Sequence, residues 1–285
     1  MMKNQISVFY EHIVDAARQS GLPLDAVCAK VKGFGYDSVE IDANRLFTES
    51  ETILPMLEKA GLGVNCIYYF FNFGAAEDCS AADRAQAQKV IDLCGPAKCN
   101  KILVVAGFLT EAEQDRAGEA YETRRTRMAR SIEQLVTMAA DAGVTVVMED
   151  FDGRETPFST AEELMWFMQN AEGLRCGFDT GNFLYSEQDA AAVLPDFLPY
   201  ISAVHCKDRA WTKNAGDPKI TVKNRAMYPV AVGDGDLDIA GMVKKILDSG
   251  YTGVFAAEHF GSAEQLRDME RSAKFLRDLL EKYEA

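Results

Sequence analysis

The sequence has no apolar run long enough to cross a bilayer. Its longest apolar stretches, such as Ile102-Leu103-Val104-Val105-Ala106, fall far short of the roughly 20 residues a spanning helix needs. The N-terminus, Met1-Met2-Lys3-Asn4-Gln5, lacks the apolar segment and small-residue cleavage site of a signal peptide, so a cytoplasmic protein is expected. Positive charge is scarce: 30 Lys and Arg stand against 44 Asp and Glu, for a formal net charge of −14. A field of that sign repels a phosphate backbone, and neither nucleic acid nor a membrane is expected as a partner. The one basic cluster, Arg124, Arg125, Arg127 and Arg130, lies at helical spacing among acidic residues and reads as a solvated face. Cysteine pairs are missing too. The seven cysteines are an odd number without regular spacing or a CxxC pair, and Cys94 and Cys99 have no second pair or nearby histidine to complete a zinc site. Reduced thiols are the expectation. Finally, no GxGxxG or GxxxxGK[ST] loop follows the first strand-like run, which removes the usual signature of an open nucleotide-binding sheet.

What is present is a full complement of core formers. Of 285 residues, 48% are hydrophobic, which excludes a disordered chain, and the length is normal for one α/β barrel. Short β-branched and aromatic runs alternate eight times with segments of helical spacing. The strand candidates are Gln5–Tyr10, Ser38–Ala43, Gly63–Phe70, Lys101–Phe108, Thr145–Phe151, Leu174–Thr180, Ser202–Asp208 and Gly253–Phe260. The helix candidates are Asp25–Gly33, Glu51–Ala60, Ala82–Leu93, Glu119–Ala142, Thr160–Asn170, Ala190–Tyr200, Asp238–Ser249 and Ala263–Tyr283. Gly35, Gly61, Gly143 and Gly250 each stand between a helix and the next strand, where a left-handed residue ends a helix cheaply. Ser159 reads as an N-cap ahead of Glu162 and Glu163. Alternation implies right-handed crossovers and a parallel sheet. The expected fold is α/β, a single (β/α)8 barrel over 1–285, with a long irregular loop at 209–231 lying over the barrel mouth.

Polar residues inside apolar strands carry the functional signal. Val146-Val147-Met148 runs into Glu149, Cys176-Gly177-Phe178 into Asp179, Ala203-Val204 into His205, and Phe255-Ala256-Ala257 into Glu258. Each falls at the C-terminal end of its strand, and in a parallel barrel those ends share one rim. Three carboxylates and an imidazole in a small volume repel and lose hydration unless a cation compensates. One divalent metal held by Glu149, Asp179, His205 and Glu258 is therefore expected. The oxygen-rich set suits Mn2+, the first choice, with Mg2+ or Co2+ as alternatives.

With these residues in place, the chain resembles the sugar phosphate isomerase/epimerase family of xylose isomerase-like barrels. That family includes ketose 3-epimerases, hydroxypyruvate isomerase and inosose dehydratase. The resemblance covers essentially the whole chain and rests on Val147-Met148-Glu149, Gly177-Phe178-Asp179-Thr180-Gly181-Asn182, Val204-His205-Cys206-Lys207-Asp208 and Val232–Asp238. It implies that the four residues bind one metal and that Glu149 and Glu258 also act as acid and base. It also implies a substrate contact for Glu155. Asn182 stands where epimerases often carry a histidine, and Trp211 where several members carry an arginine; both positions contact substrate in the family. Lys207 and Asp208, just beyond the ligand histidine, either pair with each other or orient a substrate hydroxyl. Val232–Asp238 holds three aspartates and no lysine, so an unphosphorylated substrate is expected.

The expected activity is a metal-dependent isomerase or epimerase working by proton abstraction beside the carbonyl of a keto-sugar or related polyol. The alternative is a lyase sharing that first step, either dehydrating an inosose or eliminating from an oxidised glycoside with a partner subunit. A homo-oligomer is expected otherwise. A phosphodiesterase of the endonuclease IV kind shares this barrel but needs a three-metal cluster and many histidines, and this chain has 3. His12 and His259 are weaker candidates, and His259, on the strand face opposite Glu258, is expected to pack. Tyr10, Tyr68, Phe70, Phe73, Trp211 and Tyr228 fall near strand ends or in the long loop; some should wall the pocket, and most should be core.

Overall fold

A computed structural model describes residues 4–75 and 79–284, so Met1-Met2-Lys3, which bear on export, lie outside the described residues. In chain order the elements are β1 (Gln5–Phe9), α1 (Tyr10–Ser20), α2 (Leu24–Phe34), β2 (Ser38–Asp42), α3 (Ala43–Ala60), β3 (Gly63–Phe70), α4 (Ala81–Ala97), β4 (Lys101–Val105), α5 (Glu119–Asp141), β5 (Thr145–Met148), α6 (Ala161–Asn170), β6 (Arg175–Asp179), α7 (Ala190–Phe197), β7 (Ile201–Ala210), β8 (Lys219–Ile220), β9 (Ala226–Val230), α8 (Ile239–Asp248), β10 (Val254–Glu258) and α9 (Gln265–Glu284). Strands β1 to β7 pair in sequence order, and β10 pairs in parallel with both β7 and β1. The ring is closed, and eight parallel strands form a (β/α)8 barrel with helices around it.

Strand alternation divides the core in two. One set of side chains packs outward under the helices and builds the main core, with Ile6, Val8, Ile41, Val104, Met148 and Phe255 fully or almost fully buried. The other set points inward and forms a small cluster of Phe9, Cys66, Tyr68, Leu103, Val147, Ala203 and Ala256. Above that plug, the next inward positions of β5, β7 and β10 are Glu149, His205 and Glu258. The glycine stops hold: Gly35, Gly61, Gly143 and Gly250 have φ of 105°, 76°, 69° and 92°.

The structure differs from the sequence expectations in several places. A helix not expected, α1, follows β1 directly, because Tyr10, His12, Ile13 and Ala16 bury one face of it. Tyr10 therefore begins a helix instead of ending a strand. Helix α3 starts at Ala43, well before Glu51, because the Asp42 carboxylate caps it by accepting from Asn44 N at 2.8 Å. The cap of α6 is Thr160, not Ser159; its hydroxyl accepts from Glu163 N, while Ser159 N donates to the Glu163 side chain. Segment 209–231 is not irregular. Its β9 lies antiparallel on the extended end of β7 (Asp208↔Val230, Ala210↔Tyr228), and β8 pairs with β9. Nor is the basic cluster uniformly solvated: Arg124 is buried and donates to Asn72 Oδ1 and Phe108 O, and Arg125 lies 4.3 Å from the Trp166 ring centroid. Among the described residues no cysteine is joined in a disulfide. Among the described residues no helix is long and apolar enough to cross a membrane.

Candidate active site

The inward residues at the tops of β5, β6, β7 and β10 meet. Glu149, Asp179 and His205 each offer a ligand atom within 4.8 Å of the others, and all three are buried. His205 Nδ1 stands 2.6 Å from Glu149 Oε2 and 3.6 Å from Glu258 Oε2. Four atoms, Glu149 Oε2, Asp179 Oδ2, His205 Nδ1 and Glu258 Oε2, are buried without a hydrogen-bond partner, one from each expected ligand. The 2.6 Å contact does not relieve this, because its geometry is not that of a hydrogen bond. Buried polar atoms are rarely left this way, and four sharing one small volume have the donor chemistry of a hard divalent cation. The residues present fit such an ion.

Charge supports the same reading. Lys207 Nζ lies 2.5 Å from Glu258 Oε1 and 3.4 Å from Asp179 Oδ2. The carboxylates of Glu149, Asp179 and Glu258 thus converge around a single lysine and one imidazole. Burial, opposed by Lys207, lifts the Glu258 carboxyl to about 8, and burial also raises Glu149 against the pull of His205. For His205, burial would lower the pKa, but the Glu149 and Glu40 carboxylates outweigh it and raise the value well above normal. A cation at Nδ1 would displace that proton, since metal ligation requires a neutral imidazole.

The remaining ligand contacts fix orientation. Asp179 Oδ1 accepts from Gly181 N and Asn182 N at 2.6 and 2.8 Å, which turns Oδ2 toward the cluster. Asn182 accepts from Lys207 at 2.5 Å and donates to Asp150 O at 2.8 Å. Above the cluster opens a cavity of about 430 Å3. Its lining includes the contiguous aromatic rings of Phe260, Phe9, Tyr68, Phe70 and Phe151 and the polar side chains of Asn182, Lys207, Asp152, Arg209 and Lys219.

A sequence model described as xylose isomerase-like TIM barrel matches residues 28–279. The chain belongs to the xylose isomerase-like TIM barrel family. Among solved structures it is similar to a D-allulose 3-epimerase from Methylomonas sp. (TM-score 0.72, 14% identity, 98% of this chain and 99% of that one). It is also similar to the probable 3-DHS dehydratase AsbF from Bacillus anthracis (TM-score 0.70, 15%, 96% and 98%). A third is a xylose isomerase-like TIM barrel protein from Mycobacterium smegmatis in complex with magnesium (TM-score 0.69, 17%, 93% and 90%). At these identities the likeness establishes the fold alone. A search of the curated proteins finds no match.

Within this family barrel, the other expected site residues separate. Asn182 and Lys207 line the cavity with Glu149 and Glu258. Asp208 does not: its carboxylate accepts from Gly233 N, Gly235 N and its own neighbour Arg209 N, and so folds the Val232–Asp238 loop. Trp211 does not line the cavity either. It lies beyond the end of β7, with the exposed Arg225 guanidinium 3.9 Å from its ring centroid. Glu155 is half-buried and folded over Gly153, outside the cavity lining. Of the aromatics, Tyr68 and Phe70 wall the cavity, whereas Tyr10 and Phe73 are core. His259 packs as expected, its Nε2 3.0 Å from Ser272 Oγ and its N–H donating to His12 Nε2.

Two groups were not legible as site residues. Arg209, Asp152 and Lys219 sit in loops or past the strand segment that the pattern defines. Glu40 lies in the middle of β2, below the rim, yet its Oε2 accepts from His205 Nε2 at 3.1 Å and its Oε1 from Asn65 at 2.8 Å. Its only sequence signal is a carboxylate in the strand run Ser38-Val39-Glu40-Ile41. An ionised carboxylate can only accept, so Nε2 keeps its proton, and Nδ1 is the nitrogen that would offer its lone pair to a cation. Glu40→Gln should therefore weaken divalent-metal affinity about 10–100-fold, as loss of such outer partners does. Titration of the metal-free protein with Mn2+ would test it; an unchanged affinity would remove Glu40 from the site.

Proposed function

We propose that this barrel is a divalent-metal-dependent isomerase or epimerase that moves a proton beside the carbonyl of a polyhydroxylated keto compound. The observation that carries the reading is the set of four unpartnered buried atoms on Glu149, Asp179, His205 and Glu258, opening onto a cavity. When bound, Mn2+, Mg2+ or Co2+ would polarise the carbonyl and acidify the neighbouring C–H. Asp179 and His205, buried and oriented by backbone N–H groups and Glu40, would hold the ion. Glu149 and Glu258 stand on β5 and β10, on different sides of the mouth, so one can take the proton and the other return it from a different direction. Lys207 holds Glu258 Oε1 and leaves Oε2 toward the cluster. The aromatic wall excludes water and faces the C–H side of a sugar. The partner is a small carbohydrate, and the protein acts as a cytoplasmic homo-oligomer.

A lyase remains the second reading because Phe70 and Phe260, at the mouth, are 40% and 38% exposed. Half-exposed apolar rings at a cavity suit a substrate with an apolar leaving group, and such a reaction begins with the same proton transfer. Keto-sugars incubated with the Mn2+-loaded protein in D2O test both. The expected result is metal-dependent deuterium incorporation beside the carbonyl of at least one of them, followed by epimer, isomer or elimination product. Turnover of a substrate with no exchange at that carbon would sink the proton-transfer reading.

A further inference from the structure

The cavity contains a buried cation that the proton-transfer machinery does not use. On β7, His205, Lys207 and Arg209 are alternate residues and share one face of the strand. His205 belongs to the metal cluster, and Lys207 is taken up by Glu258 and Asn182. Arg209, about 13 Å beyond His205 along the strand at about 3.3 Å per residue, also lines the cavity. Its side chain is 4% exposed. Nε is buried without a hydrogen-bond partner, and the only side-chain contact of the guanidinium among the described residues is Nη2 to Asp152 Oδ2 at 3.5 Å, the outer limit of a hydrogen bond. Asp152 is held more closely by Lys219, at 3.0 Å. Two cations thus share one carboxylate, and the better-buried one has the worse contact.

A guanidinium presents a planar fork of N–H donors, and leaving it buried and unpaired is costly. The ligand that satisfies it is a planar anion with two oxygens. We infer that Arg209 anchors a carboxylate of the substrate, so that the substrate is a keto acid with its carbonyl at the metal cluster and its carboxylate at the other end of a short carbon skeleton. The inference rests on the proton-transfer reading for the placement of the carbonyl, but not for the anion. A phosphate fits less well: it brings more charge to an end of the cavity already lined by Asp152 and the exposed Asp217.

The test uses the metal-loaded protein and three matched series: six-carbon keto-sugars, the same sugars with the terminal CH2OH oxidised to carboxylate, and the same sugars phosphorylated there. In calorimetry the best acid is expected to bind about tenfold or more tighter than its neutral parent, the size of one charge-assisted contact. Arg209→Met should erase that margin, Arg209→Lys should restore part of it, and both should keep wild-type metal content and melt no lower than wild type. Neutral or phosphorylated sugars binding as tightly as the acids would overturn the inference. So would an Arg209→Met variant that weakens acid and neutral sugar alike. Proton exchange in D2O separates the two readings. An acid bound through Arg209 without exchange defeats the proton-transfer reading and leaves the carboxylate subsite standing. Exchange into neutral sugars alone, unaffected by Arg209→Met, does the reverse.

Discussion

Glu258→Gln and Glu149→Gln are each expected to lower turnover by about 10²–10⁴-fold, the range of a removed general acid or base, while much of the bound metal and the fold remain. Glutamine keeps the shape and one metal-binding oxygen but cannot carry the proton. Both residues line the cavity, and they are the two members of the cluster whose longer side chains can touch an ion and still reach a carbon beyond it. Asp179 is shorter and buried, with one oxygen already committed to Gly181 N and Asn182 N. The two variants are distinguishable. The one that still exchanges the substrate proton with solvent but forms no product has lost the acid, and its partner is the base. Near wild-type turnover with metal bound in either variant would show that residue is no proton carrier, and Lys207 would be the next candidate, since it lies in the cavity whereas Glu155 and Asp208 do not.

His205→Ala is expected to reduce divalent-metal affinity by more than about 100-fold, because even outer partners of a ligand cost 10–100-fold. It also leaves Glu40 Oε2 buried without its partner, which should destabilise the protein by about 1–3 kcal/mol. Asp179→Ala is the control that loses a ligand without disturbing Glu40. Metal content of either variant equal to wild type would refute the assignment. The same site sets a pH dependence. In the metal-free protein burial lifts Glu258 from 4.5 to about 8. A carboxyl with a raised folded pKa favours the folded state at low pH, and that contribution is lost as pH rises from about 4.5 through 8. A cation removes the loss by favouring the ionised form. The rise in melting temperature on adding Mn2+ should therefore be larger at pH 8 than at pH 6, and an equal rise at both would argue that Glu258 does not face the ion.

Local chemistry was enough for the architecture. Glycines at 35, 61, 143 and 250 end helices because the left-handed conformation costs them little. Apolar runs of strand length, bounded by those stops, fix eight parallel strands, and parallel strands bring all C-terminal ends to one rim. That is why Glu149, Asp179, His205 and Glu258 could be grouped from the sequence, each being a ligand-type residue at a strand end. Their actual approach, with His205 Nδ1 2.6 Å from Glu149, needs the closed ring.

Other features have no local signature. Glu40 is 165 residues from His205 and reaches it only because β2 and β7 face each other across the barrel interior. From the sequence, Asp208 is a candidate to pair with Lys207 or to orient a substrate hydroxyl, and Trp211 is one because the family resemblance implies a substrate contact at its position. Only the fold of the Val232–Asp238 loop shows that Asp208 is occupied by backbone N–H groups, and only the β7–β9 ladder carries Trp211 away from the cavity. The same ladder extends β7 and keeps Arg209 on the inward face. Sequence determined which residues could serve at the rim, since strand periodicity and glycine stops act within a few residues. Tertiary structure decided which of them share the cavity and which partners they meet there, since hydrogen bonds and burial depend on chain segments far apart in sequence.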